Sequence, residues 1–141
     1  MSRRSFLLRV TRHLLLRWVA ALAWTALVCL LMLLPGEDSL AEDTSGFFGG
    51  TDMTDAFGHV LLFGILTALW YAVLACHLAP APALRRALVI GVACGLLLEL
   101  GQGIVPERGL SLLDLTANAL GALASFAALR TPVGRLLAPP R

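Results

Sequence analysis

Apolar residues along this chain gather into four long runs, separated by polar or proline-containing breaks. The first covers residues 18–34, carries no charge, and is stopped by Pro35-Gly36, a pair that does not extend a helix. The second starts at Asp55 and continues to residue 78, ahead of Pro80 and Pro82. The third occupies residues 84–105 and ends at Pro106. The fourth covers residues 112–129, before Arg130 and Pro132. Each supplies roughly 17–25 residues, enough to cross the ~30 Å hydrocarbon core of a bilayer. The pattern predicts an all-α fold, a four-transmembrane-helix bundle forming a single membrane domain over residues 1–141. The second and third connections are short, so consecutive helices are expected as antiparallel neighbours. Residues 36–54 are acidic and glycine-rich and read as an extracytoplasmic loop, with Phe47-Phe48 at the membrane interface.

Composition sharpens this reading. Apolar residues make up 58% of the chain and charged residues 14%, whereas a soluble domain carries about 25% charged residues to cover its wet surface. The charges are also sorted. There are eleven arginines and no lysine: Arg3, Arg4, Arg9, Arg12 and Arg17 precede the first run, Arg85 and Arg86 lie between the second and third, and Arg130, Arg135 and Arg141 follow the fourth. Only Arg108 lies elsewhere, and all nine acids fall on its side of the runs. Basic loops stay cytoplasmic, which predicts a bacterial inner-membrane protein with both termini in the cytoplasm. Nothing in the pattern predicts a nucleic-acid partner; membrane lipids are the expected surroundings. Cys29, Cys76 and Cys94 sit within or at the end of apolar runs and read as small buried apolar residues.

The start of the chain admits two readings. Ser2-Arg3-Arg4-Ser5-Phe6-Leu7 resembles a twin-arginine export signal, with Ser39-Leu40-Ala41 as a weak cleavage site. The favoured one is an uncleaved first helix, because residues 18–34 are long enough to span and Arg9, Arg12 and Arg17 interrupt the signal pattern; the turns from Arg9 to Arg17 are then expected along the cytoplasmic surface.

Following each run to its outer end gathers the polar residues at one level. Asp55 and His59 are four apart, on one face of a helix. Glu99 and Gln102 are three apart, Arg108 lies in the short connection, and Ser111, Asp114 and Asn118 open the fourth run. Asp114, Asn118, Gly121 and Ser125 share a face on which the small residues permit close helix contact. Taken singly, several of these have structural roles: Asp55 suits a helix N-terminus, and Ser111-Leu112-Leu113-Asp114 is a capping pattern. Glu99 is different. It lies seven residues before Pro106, roughly 10 Å along a helix at 1.5 Å per residue, toward a C-terminus where the dipole disfavours a carboxylate. It needs a proton, a cation or an arginine, either as an ion pair with Arg108 that holds the bundle or as part of a working site.

The ordered set Asp55-x-x-x-His59, Glu99-x-x-Gln102 and Arg108-x-x-Ser111-x-x-Asp114-x-x-x-Asn118-x-x-Gly121 resembles the VanZ-like family of small polytopic bacterial membrane proteins, over roughly residues 52–125. The family commonly has a lysine after the first aspartate, where Ala56 stands here, so a second cation is missing. The resemblance implies a four-helix membrane protein, some relatives being linked to resistance to teicoplanin-type antibiotics; it supplies no reaction.

The expected function is an envelope protein whose outward polar pocket engages a lipid-linked or cell-wall-related ligand. Asp55, His59, Glu99, Gln102, Arg108, Ser111, Asp114 and Asn118 form the expected binding set. An alternative is a membrane-embedded hydrolase or transferase acting on a lipid head group, with Glu99, His59 and Asp114 as catalytic candidates. A third is an assembly subunit in which the cluster only locks packing. No cofactor is expected. A metal is not expected either, because no ligand spacing is diagnostic and Arg108 competes for the carboxylates.

Overall fold

The breaks in the apolar pattern become helix ends. The computed structural model describes residues 3–33, 52–105 and 109–137, which are helical with no strand among them. They form α1 (Arg3–Leu33), α2 (Asp52–Leu74), α3 (Pro80–Gln102), α4 (Leu112–Leu129) and a short α5 (Pro132–Leu137). The predicted boundaries of α4 hold. α1 starts well before residue 18, because nothing between Arg3 and Arg17 stops a helix. α2 ends at Leu74 instead of continuing to residue 78: Cys76 and His77 donate to Val73 and Leu74 carbonyls in i→i+3 bonds that tighten the chain into a turn. α3 runs from 80 to 102 instead of 84 to 105. Proline at its first turn has no N–H to lose and a φ suited to helix entry, so the helix begins before the first long apolar residue. The loop expected at residues 36–54, with Phe47 and Phe48, falls almost wholly outside the described residues.

α2 is the centre of the bundle. It packs against α1, α3 and α4, most extensively against α4. Glycine makes that approach close: a Cβ on Gly121 would overlap the Val60 carbonyl, and one on Gly64 would lie 3.4 Å from the Gly121 oxygen. On α3, Gly91 and Gly95 lie one turn apart and serve the same purpose. Gly91 faces Thr67 and Ala122, while Gly95 faces Asn118 and Phe63. Small residues at this spacing let helix backbones approach where lipid gives no hydrophobic drive. Around these contacts Val28, Met32, Phe63, Leu66 and Leu98 join α1, α2 and α3. Tyr71, Ala83, Leu84, Ala87 and Leu129 join α2, α3 and α4.

α1 is fastened by directional polar contacts. Trp24 Nε1 donates to the Leu62 carbonyl at 3.1 Å, and Trp70 Nε1 to Thr25 Oγ1 at 3.2 Å. Arg17 Nη1 donates to the Ala72 carbonyl at 2.8 Å and to Cys76 Sγ at 3.3 Å. Cys29, Cys76 and Cys94 are free and partly buried.

The outside of the bundle is apolar. Leu22, Leu61, Val89, Leu97 and Leu120 are all exposed, spread over four helices. A surface of this kind is unsuited to water and suited to lipid. By length and composition, Thr11–Leu33, Met53–Leu74 and Leu112–Leu129 can cross a membrane. α3 is not in that set and carries Arg85 and Arg86 near its start and Glu99 near its end.

The Gly121 contact makes a direct test. Gly121→Ala is expected to destabilise the bundle by about 1–3 kcal/mol, because the overlapping atoms are backbone and must shift together. Gly58→Ala, whose added Cβ meets nothing within 4 Å, is the control and leaves stability unchanged or slightly raised. Unfolding in detergent compares the two; equal midpoints would refute the close-contact account.

Candidate functional site

Antiparallel connections bring the start of α2, the end of α3 and the start of α4 to one end of the bundle. Asp55 and His59 occupy the first turns of α2, Glu99 and Gln102 the last turn of α3, and Asp114 and Asn118 the first turns of α4. Arg17, Arg85, Arg86 and Arg130 lie at the opposite end. His59, Glu99, Gln102 and Asn118 are buried, in a chain whose remaining buried side chains are mostly apolar.

Asn118 is the junction. Its Oδ1 faces His59 Nδ1 on α2 at 2.8 Å, and its Nδ2 donates to the Gly95 carbonyl on α3 at 3.5 Å. With Oδ1 as the acceptor, His59 carries its proton on Nδ1 and turns Nε2 toward the carboxylate side. Asp55 Oδ2 lies 4.0 Å from that Nε2, beyond hydrogen-bonding distance. Asp114 joins them: one donor atom each from Asp55, His59 and Asp114 lie within 4.8 Å of one another. Exposure grades across this trio. Asp55 is exposed, Asp114 intermediate and His59 buried, so the group opens toward the helix-end surface.

Glu99 lies against the α4 N-terminus and is wholly buried. Its Oε1 accepts the Ser111 backbone N–H at 2.5 Å. Ser111 in turn caps α4 by accepting the Asp114 N–H on Oγ at 3.2 Å, as its sequence pattern predicts. A carboxylate at the unfavourable end of α3 is thus set against the favourable end of α4, so one oxygen is satisfied by a backbone amide. The other, Oε2, is buried and has no hydrogen-bond partner among the described residues.

Gln102 also has a partner on α1. Its Nε2 donates to the Met32 carbonyl at 3.0 Å and ties α3 to α1. Arg108, with Pro106 and Glu107, lies outside the described residues, and so does the expected Glu99–Arg108 pair. The sequence reading missed the role of Gly91 and Gly95, although Gly91-x-x-x-Gly95 in an apolar helix is a legible helix-contact signal. It also missed the backbone carbonyls of Met32, Leu62 and Gly95, which no side-chain pattern marks.

Searches of family models, curated proteins and solved structures gave no match to this chain. An imidazole fixed through one nitrogen, two carboxylates and a half-satisfied buried acid are able to accept hydrogen bonds, relay protons or hold a cation.

The His59–Asn118 bond is measurable by a double-mutant cycle. His59→Phe and Asn118→Leu are each expected to destabilise the fold, and the double variant to be less harmful than the sum. The expected coupling is about 0.6–1.7 kcal/mol, the range for hydrogen bonds between membrane helices. Strict additivity would mean that the two side chains do not act as a pair.

Proposed function

We propose that this chain is a four-pass protein of the bacterial inner membrane, with both termini cytoplasmic, whose outward-facing polar pocket engages a lipid-linked or cell-wall-related ligand. The observation that carries the reading is the free Oε2 of Glu99. A fully buried carboxylate oxygen with no partner among the described residues is costly unless something meets it. In this reading Glu99 and Arg108 form the charged centre, Asn118 and His59 supply hydrogen bonds, and Ser111, Asp55 and Asp114 shape the rim. The ordered residues resemble the VanZ-like set, and reduced susceptibility to teicoplanin-type antibiotics is one expected phenotype.

Two features support the topology. Val89, Val92, Leu96 and Leu97 give α3 an exposed apolar side like those of its neighbours, which suits a fourth crossing with Arg85 and Arg86 at its cytoplasmic end. Arginines and polar cluster also occupy opposite ends, as the positive-inside rule requires. Reporter fusions within residues 36–54 are expected to read extracytoplasmic, and fusions after Leu78 and Arg130 cytoplasmic. A cytoplasmic loop at 36–54 would reverse the orientation.

The second reading, a membrane-embedded hydrolase or transferase on a lipid head group, is favoured by one arrangement. His59 is oriented by Asn118 and has Nε2 on the side of the Asp55 carboxylate, which suits a general base.

Glu99→Gln tests the pocket. It keeps the Ser111 contact within reach of a neutral oxygen while removing the charge. Protein purified in native lipid is expected to retain a lipid-linked species, detected by mass spectrometry, that the variant loses while remaining folded and inserted. Identical lipid profiles for wild type and a folded variant would defeat the assignment of Glu99 to ligand binding.

A further inference from the structure

We infer that Asp55, His59 and Asp114 form a binding site for a divalent transition-metal ion of the zinc class. The three residues come from two helices, and their donor atoms already lie within 4.8 Å of one another. Neither the head-group reading nor any role of Glu99 is needed for this.

The simpler account of the two aspartates is helix polarity. Asp55 and Asp114 each lie near a helix N-terminus, where a negative charge is favourable. That explains why acids occur there, but it leaves the imidazole unexplained. The His59 side chain is 8% exposed, and its Nδ1 is held by Asn118 Oδ1 at 2.8 Å. Its Nε2, with no hydrogen bond among the described residues, lies 4.0 Å from Asp55 Oδ2, and the Asp114 carboxylate completes the group. A ring pinned at one nitrogen by a carbonyl oxygen and open at the other is how metal-bound histidines are oriented, with the outer contact fixing tautomer and direction. Asn118 supplies that contact, and its own tie to the Gly95 carbonyl holds it in place.

The donor set also identifies the ion. Imidazole nitrogen with carboxylate oxygen suits zinc and neighbouring transition ions, while magnesium and calcium prefer oxygen alone. Two carboxylates and a neutral imidazole balance a divalent charge. Three protein donors leave a position open, as in catalytic zinc sites. Ligands about 2.0–2.2 Å from a tetrahedral ion are about 3.3–3.6 Å apart, so the trio has to close slightly. His59 is fixed, but Asp55 is 51% exposed and free to rotate inward. The expectation from sequence was no metal, because no single segment carries a ligand spacing. A site split between α2 and α4 leaves no such spacing to find.

The test uses the full-length protein in detergent, stripped with chelator and titrated with Zn²⁺. One ion per chain is expected, and Co²⁺ in its place is expected to give the visible absorption of a tetrahedral nitrogen–oxygen site. Asp55→Asn spares the buried core and is expected to abolish stoichiometric binding in a folded protein; His59→Gln and Asp114→Asn are expected to do the same. Asn118→Leu, which removes the orienting contact together with the tie to the Gly95 carbonyl, is expected to weaken binding by about 10–100-fold in the fraction that stays folded. His77→Gln, in the turn that follows α2 at the opposite end of the bundle, is expected to bind like the wild type. Absence of stoichiometric Zn²⁺ binding, or binding that survives both Asp55→Asn and Asp114→Asn, would overturn the assignment.

Discussion

The architecture depends on satisfying polar groups where water is absent. In a bundle with an apolar exterior, a buried side chain that finds no partner costs several kcal/mol, so polar residues are held inside and paired with one another. Asn118 meets that constraint for three helices together, through His59 on α2 and the Gly95 carbonyl on α3. Both contacts need short helix–helix distances, and glycine provides them. A side chain at Gly95 would press on Asn118 itself, and one at Gly121 would push α4 off the Val60 backbone. The polar junction and the glycine contacts therefore support each other: close packing lets the short side chain of Asn118 reach both neighbours, and its hydrogen bonds help to fix the rotation of α4.

The two ends of the bundle are chemically distinct. One end carries exposed Arg85, Arg86 and Arg130, with Arg17 bonded to the end of α2. The other carries Asp55, Glu99 and Asp114 with the buried amide and imidazole. The carboxylates are managed by helix polarity. Asp55 and Asp114 lie near the N-termini of their own helices, and Glu99, at the wrong end of α3, borrows the N-terminus of α4 through the Ser111 amide. What helix polarity leaves over is the Oε2 of Glu99 and the Nε2 of His59. Oε2 is buried without a hydrogen bond among the described residues, and Nε2 lies 4.0 Å from the Asp55 carboxylate. Packing alone leaves them unused.

Much of this was legible in the chain because the signals are local. Helicity follows from apolar runs long enough to span and from prolines and glycines that stop them, and both act over a few residues. The Ser111 cap is likewise a four-residue pattern, and the small residue at Gly121 marked the tight face of α4. The polar level at one end followed from counting residues along antiparallel helices. What the chain alone left open was how far each helix is rotated about its own axis. That rotation is set by contacts among three helices, and by backbone carbonyls that look the same in every sequence. It turns Gln102 toward Met32 on α1 although it lies less than one turn from Glu99. It also joins His59 to Asn118, and brings Asp114 to Asp55 and His59 across two helices. The sequence by itself determined an all-helical, lipid-facing chain with its polar residues at one end, because hydropathy and helix stops are short-range properties. Only the tertiary structure decided which of those residues meet, because a meeting between helices depends on distances that glycine packing sets and no linear spacing records.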